Sequence, residues 1–368
     1  MCTGGAKAQF THLIYYGGDS MIAVYTLECS EQWDAIVRTY REYDVYWLSG
    51  YVKAFWLHGD GVPLLITYDD GRTRGINVVM KRDIAKDKGF EGILEENTLF
   101  DFSTPYGYGG WLIEGENSKS LFKAYNDWCT ENFIISEFVR FHPVLKNHNY
   151  LQDEYDIVSL GNTVILDLSS PELIWENITS KNRNMIRKAQ KSGVKIYNGR
   201  SPEIYQEFKK IYDCTMERDG AEKYYYFDSG FYRSVCDDLP YNSQVFYAEH
   251  EGRIIADSIM LSTNGRMNYH LSGSIKEYAG MAPTNLLLYE AAMYGYASGC
   301  KTFLLGGGVG SCEDNLFRFK KSFNRREESL RNFNIGRKIF CNEIYDQLLN
   351  KSGNAQNNDF FPAYRCKR

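Results

Sequence analysis

Apolar and polar positions recur along this chain with two periods, near two and near 3.6, and the switch from one to the other marks its elements. The clearest series spans residues 267–323: MNYHLSGS, IKEYAGMAP, TNLLLYEAAMYGYASG, CKTFLLGGG and then EDNLFRFKKSF. The alternating opening predicts a strand with Tyr269, Leu271 and Gly273 on one face and His270 on the other. Pro283 opens a helix that Gly299 closes. Leu286, Leu287, Tyr289, Ala291, Met293 and Tyr294 leave that helix little polar girth, so it is expected to be buried. A second strand, a Gly-rich turn and a short basic helix follow. A strand that ends in a loop opening a helix aims backbone N–H groups at one place, a ready anion site.

The same reading applied upstream predicts strands at 22–27, 54–58, 63–68 and 76–81, with a helix at 32–42. Asp69-Asp70-Gly71-Arg72 is a hairpin signal between the last two strands. Residues 82–100 read as a charged surface loop. The segment DFSTPYGYGGW (101–111) is rich in Gly and Tyr, and a helix at 118–131 and a strand at 133–141 follow it. Strand, Gly-rich loop, helix and strand therefore occur in both halves, which points to a duplicated unit with its boundary near Gly161. Beyond it come a strand at 163–168 and a helix capped by Ser170-Pro171. A basic run at 181–200 precedes a helix from Ser201-Pro202 to about Glu217. Strands at 244–250 and 253–262 turn at Glu251-Gly252, and Asn264-Gly265 makes the next hairpin. A strand at 326–335, a helix at 338–349 and a polar loop at 350–357 finish the series. Ile339, Phe340, Ile344, Leu348 and Leu349 space as one helical stripe. With the aromatic segment 360–364, that stripe is expected to pack back on the first half. The fold class is α/β (α+β), mixed sheets flanked by helices.

Composition narrows the function classes. In 368 residues, 43% are apolar, enough for two domains with real cores, and the net charge of −5 supplies no global basic field for nucleic acid. Any such contact must come from a local patch. The nine cysteines are scattered, with no C-x-x-C and no zinc spacing. They read as reduced thiols of a cytoplasmic protein, with no metal site and no tightly bound cofactor. No segment reads as a bilayer span or a secretory signal. Gly17-Gly18-Asp19 can be encoded as a ribosome-binding site, so translation is expected to begin at Met21, with residues 1–20 a mis-called leader.

The order of parts in 267–323 resembles the GNAT acyltransferase core. That family places Q/R-x-x-G-x-G/A against a CoA pyrophosphate. The matching positions here are Glu277, Gly280 and Ala282, and the carboxylate departs from the pattern. PYGYGG, EFVRFHP, SKNRNMIRKAQKSGVKI, ERDG, MNYHLSGS and DNLFRFKKSF together are similar to the Fem peptidoglycan bridge-forming transferases, which join two GNAT-like halves. The resemblance implies tandem GNAT-like domains at 21–160 and 161–337, with 338–368 returning to the body. It implies an aminoacyl-tRNA donor and an amine acceptor on a nucleotide- or lipid-linked muropeptide, a substrate that can sit at a membrane surface. An acyl-CoA donor acting on a small amine or amino sugar is the alternative. A catalytically silent binding module is the third reading.

The resemblance also suggests roles. Lys320, in the F-K-x-x-F segment beside Phe319, would stabilise charge on the acyl carbonyl; on pattern alone it reads as a solvated cation of an amphipathic helix. His142, where some relatives carry Asp, would take the proton of the attacking amine; a structural histidine is the other reading. Lys53 and Lys223 match positions that hold a diphosphate, and Tyr269 matches an aromatic on the cleft floor or is a core tyrosine. Arg183, Arg187 and Lys188 would meet phosphates, or simply cover a solvated helix face. Tyr224–Tyr226 would stack bases or sugars, or pack as a lid.

Overall fold

The computed structural model describes residues 21–353 and 360–366. The leader assigned to 1–20 lies outside the described residues, as does the second half (354–357) of the polar loop expected at 350–357, whose first three residues instead continue the last helix to Ser352. The first half contains β1 (Ile22–Tyr25), α1 (Ser30–Arg38), α2 (Ser49–His58), β2 (Val62–Asp69), β3 (Thr73–Asp83), β4 (Phe100–Ser103), β5 (Leu112–Gly115), α3 (Lys119–Glu131) and β6 (Ile134–Arg140). There follow β7 (Asp156–Asp167), α4 (Pro171–Asn177), α5 (Ser180–Lys191), β8 (Lys195–Gly199), α6 (Pro202–Arg218), α7 (Ser229–Asp237), β9 (Ser243–His250), β10 (Arg253–Thr263) and β11 (Arg266–Ser274). The chain continues through α8 (Pro283–Ala297), β12 (Thr302–Gly306), α9 (Asn315–Lys321), β13 (Leu330–Ile339) and α10 (Asn342–Ser352).

All thirteen strands join one mixed sheet in the order β1-β2-β3-β4-β6-β13-β7-β12-β11-β10-β9-β8, with β5 paired to β3. Among these strands the parallel neighbours are β4 with β6 and β11 with β12. A helix, α3 or α8, connects each pair, as parallel pairing requires. Gly161, the expected boundary, lies inside β7. That strand pairs β12 through Val164–Asp167 and β13 through Asp156–Val164, and β13 then pairs β6. Backbone hydrogen bonds therefore run without a break from one half to the other.

The halves also share side chains. Trp33, Trp47, Phe55 and Leu65 belong to the same buried cluster as Phe208, Phe231 and Leu271. Full burial of each such side chain stabilises by about 1.5–3 kcal/mol. At the β10–β11 turn, Asn264 Nδ2 donates to the carbonyls of Arg41 and Tyr43. Lys53 pairs with Asp238 at 2.8 Å, bracing α2 against α7.

Three elements depart from the sequence reading. Residues 54–58 end α2 and are not a strand. Their alternation is incidental, and Gly59 at φ 98° supplies the left-handed stop of a helix. Lys338 ends up on β13, which two flanking partners extend to Ile339, so the last helix starts only at Asn342. In β11, Met260 faces Tyr269 while Ile259 faces Leu271, leaving His270 as a bulge. The extra residue puts Tyr269 on the face opposite Leu271 and Gly273.

The C-terminal segment lies on the first half. Tyr345, Leu348 and Tyr364 bury with Ile84, Phe90 and Ile135, while Phe360 stays half-exposed. Tyr364 Oη donates to Asp101 at 2.9 Å, and Arg365 Nε donates to the same carboxylate at 2.6 Å.

Asp257 on β10 is an internal stress. It is buried, and among the described residues its carboxylate oxygens have no well-formed hydrogen bond, the Gly273 N–H alone giving weak relief. Burial, reinforced by Glu207, holds its carboxyl well above the usual range. The folded chain thus holds this proton more tightly than the unfolded chain, whose carboxyl titrates near ~3.9. The associated stability is complete below that value and is lost as pH rises from there through the folded value. Asp257→Asn should flatten the fall in melting temperature between pH 5 and pH 8; parallel curves for the two proteins would show that the carboxyl titrates alike in both states.

Candidate active site

β11 and β12 pair only over Arg266–Asn268 and Thr302–Leu304, yet β11 continues to Ser274 and β12 to Gly306. The bulge at His270 helps turn β11 aside. A wedge opens where two parallel strands end, the usual ligand position in sheets of this kind.

The turn after β12 sets one wall. Gly306 has φ 77°, and a Cβ on Gly308 would come within 2.2 Å of the Cys312 carbonyl, so this turn tolerates only glycine there. Asp314 then caps α9, accepting from Phe317 N at 2.8 Å and Val309 N at 3.1 Å. Phe317 and Phe323 face the core, and the half-buried Phe319 meets Phe323 edge-on at 5.4 Å. This packing carries Lys320 inward. Only 8% of it is exposed, Nζ donates to the Gly307 carbonyl at 2.6 Å, and the Tyr269 ring centroid lies 5.7 Å away. Burial lowers the Lys320 pKa to about 8 against the opposing pull of Asp314. Burial likewise pushes the Tyr269 hydroxyl up to about 12.

The first half supplies the opposite wall through the Gly- and Tyr-rich loop after β4. A Cβ on Gly306 would sit 3.5 Å from Lys320 Nζ and 3.9 Å from the Tyr108 hydroxyl, so both polar heads border one small space. Tyr108 packs against Tyr46, His142 and Phe333. Burial raises its hydroxyl to about 12, with Arg140 pulling the other way. Tyr106, two residues earlier, packs on Phe55 and on His270. His270 Nε2 is buried without a partner among the described residues, and burial holds the imidazole neutral, with its pKa lowered to about 3.

His142 does not fit the role of base. It is fully buried, its Nε2 donates to Asp44 at 3.1 Å, and its Nδ1 accepts from Val144 N and Leu145 N, both at 3.2 Å. Both ring nitrogens are occupied, leaving no lone pair for an amine. Asp44 also accepts from Asn268 Nδ2 at 3.0 Å, so His142 belongs to a polar knot between the halves.

The other residues fall in three places. Lys53 is bound to Asp238, and Lys223 is exposed on a short turn whose Tyr224 carbonyl lies 2.8 Å from His58 Nε2. Tyr224 and Tyr226 are part-exposed and Tyr225 half-buried, at the mouth between the halves. Arg183 and Arg187 sit over Trp175 at 6.0 and 5.1 Å, and Lys188 is exposed beside them on α5. Gly280 is exposed, and Ala282 is the left-handed cap of α8 at φ 58°. Asn285 of α8 donates to Asn182 of α5 at 2.8 Å, tying the basic helix to the wedge helix. Among the described residues, no group of His, Cys, Asp or Glu is arranged to hold a metal ion.

A family model described as an acetyltransferase (GNAT) domain matches residues 180–321, which include the wedge and Lys320. The UDP-N-acetylmuramoylpentapeptide-lysine N(6)-alanyltransferase of Weissella viridescens is 25% identical over 227 residues, covering 57% of this chain and 65% of that protein. The crystal structure of FemX superposes with a TM-score of 0.64 at 14% identity, over 87% of this chain and 98% of that one. The chain is thus similar to a Fem-type alanyltransferase in sequence and to FemX in fold. L-PGS from Bacillus licheniformis shares the fold, at TM-score 0.55 and 13% identity over 87% and 95% of the two chains. The match to the Weissella enzyme thus spans somewhat less than two thirds of that relative's length.

Reasoning from sequence missed Tyr108, His270 and Arg140 as wall residues of this cleft. Tyr108 and Arg140 stand inside the quoted segments PYGYGG and EFVRFHP, but nothing local shows that they face the other half. His142→Phe should lower the melting temperature by stranding Asp44, removing a charged hydrogen bond worth about 1.5–3 kcal/mol. The fraction that stays folded should retain turnover; loss of all turnover in a folded variant would return His142 to the chemistry.

Proposed function

We propose that the chain is an N-acyltransferase that holds its acyl donor in the wedge between β11 and β12 and admits an amine between the halves. The observation that carries this reading is the buried Lys320 ammonium, held by one carbonyl beside the wedge mouth. Attack of a neutral amine on an ester builds negative charge on the carbonyl oxygen. Lys320 keeps two of its three N–H donors for that oxygen, in a site shielded from water. The Tyr108 hydroxyl borders the same space. The C–O bond to the donor then breaks, and the leaving oxygen takes up the proton released by the amine.

Aminoacyl-tRNA is the donor we favour. The Arg183, Arg187 and Lys188 face of α5 is joined to the head of α8, and the exposed Glu277 in the pyrophosphate loop would repel a CoA diphosphate. The acceptor is then an amine of a cell-wall precursor, the substrate class in the name of the Weissella relative, met at the cytoplasmic side. An acyl-CoA donor is the second reading, favoured by the acetyltransferase model that covers the wedge. Incubation with labelled aminoacyl-tRNA and with labelled acetyl-CoA separates the two by which label passes to an amine.

Lys320→Ala should fold normally and lose roughly 100-fold or more in turnover, the scale of a missing oxyanion donor. Because Lys320 titrates at about 8, turnover should decline as pH rises through that value. Lys320→Arg should abolish this alkaline limb, since guanidinium stays charged; an unchanged limb would assign it elsewhere. Replacing Arg183, Arg187 and Lys188 by Gln should flatten the salt dependence of donor affinity. An unaltered slope would make that face ordinary surface.

A further inference from the structure

On the first-half side of the same mouth lies a cleft of about 440 Å³ whose lining does not include Lys320. Its walls include Arg82 at the end of β3, Arg140 at the end of β6, His58, Asp60, Tyr106 and Tyr224. The two arginines are each anchored by one atom only. Arg82 Nε donates to Asp101 at 2.7 Å, and Arg140 Nε donates to the Gly107 carbonyl at 2.9 Å while its guanidinium stacks 4.7 Å from the Phe333 ring centroid. Nη1 and Nη2 of both side chains have no hydrogen-bond partner among the described residues. For Arg82 Nη2 this holds even though the atom is buried. An unpaired guanidinium donor away from bulk water, as Arg82 Nη2 is, is a standing cost, relieved by an oxyanion that can accept from the fork.

The charge balance agrees. Asp60 is the one acid among the lining residues; it accepts from the Tyr224 hydroxyl at 2.7 Å, and burial raises its carboxyl above the usual range. Two guanidinia line the same walls, so cations outnumber acids in the lining, and Asp101, which pairs with Arg82, lies behind it. Lys53 and Lys223 are not among the residues that line it.

The anchoring of Arg82 leads to the end of the chain. Arg82 and Asp101 are direct cross-strand partners of β3 and β4. The Asp101 carboxylate is fully buried, one oxygen bonded to Arg82, the other to Tyr364 and Arg365. Burial alone would raise this carboxyl, but the Arg82 and Arg365 guanidinia outweigh it and hold the group below its ordinary value. Arg365 also pairs with Asp87 at 3.1 Å and lies outside the cleft.

We propose that Arg82 and Arg140 form an oxyanion subsite for a carboxylate or phosphate carried by the acceptor, and that the docked C-terminal segment positions Arg82 for it through Asp101. The acceptor assignment rests on the acyl-transfer reading; the anion subsite itself does not. Binding of inorganic pyrophosphate and of succinate to the full chain, measured by calorimetry at low salt, tests it. At least one anion should bind, and which one binds tells a phosphate source from a carboxylate source. Arg82→Gln and Arg140→Gln should each weaken that binding at least tenfold, and Arg82→Lys should recover part of it. Arg365→Gln should weaken it several-fold with the cleft lining intact, and Arg365→Lys should restore it. Lys320→Ala should bind the anion normally while losing turnover, so failure of the acyl-transfer reading leaves this measurement standing. No binding of either anion, or equal binding by folded Arg82→Gln and Arg140→Gln variants, overturns the subsite. Unchanged affinity in Arg365→Gln removes the C-terminal segment from it.

Discussion

The ladder through β7 and β13 is the constraint on which the arrangement depends. β7 bonds to β12 along one stretch and to β13 along the other, and β13 carries the ladder on to β6. A sheet pairs in fixed register, and a slip of one residue would turn every side chain to the wrong face. The two parallel strand pairs, β4 with β6 and β11 with β12, are therefore held at a set separation within one sheet. A linker between separate domains could not do this, because such interfaces move by default.

That rigidity lets loops from one half serve the other. The turn after β4 is held by the sheet and by Tyr51, whose hydroxyl donates to the Tyr106 carbonyl at 2.5 Å. Tyr106 then faces His270, and Tyr108 faces the Gly306 turn. The knot of Asp44, His142 and Asn268 fixes the same junction from beneath. Buried polar groups of this kind are safe only when fully paired, and His142 is. Asp257 and Arg82 Nη2 are not, and they mark where this chain departs from pure stability.

Lys320 shows how burial can prepare a cation. An exposed lysine of an amphipathic helix would be solvated and mobile. Here Phe317 and Phe323 pin both ends of a short turn, and the ammonium is left with one carbonyl and one aromatic face. Desolvation weakens its hold on the proton while the surrounding low dielectric strengthens its field on any nearby oxygen.

Local chemistry determined what was legible in the sequence. Asn264-Gly265, Asp69-Asp70-Gly71-Arg72 and Ser170-Pro171 fix their turns and cap through backbone preferences that need no distant partner, and the sheet-and-helix class follows from them. The periodicity around Pro283 and Gly299 likewise marks a buried helix. The motif with Lys320 could be located in the sequence, but its burial could not, because Tyr269 and Gly307 close over it from other elements. Tertiary structure decided the rest. Residues 54–58 are helical because α2 buries against both halves; Lys338 is in a strand because partners on either side extend the ladder. The bulge that separates Tyr269 from Leu271 is a matter of register with β10. His142 became structural through a carboxylate 98 positions away, and Arg82 is tied to the chain end through Asp101 and Arg365, 264 positions apart. Pairings over such distances are set by how the whole sheet closes, and no local pattern of residues encodes them.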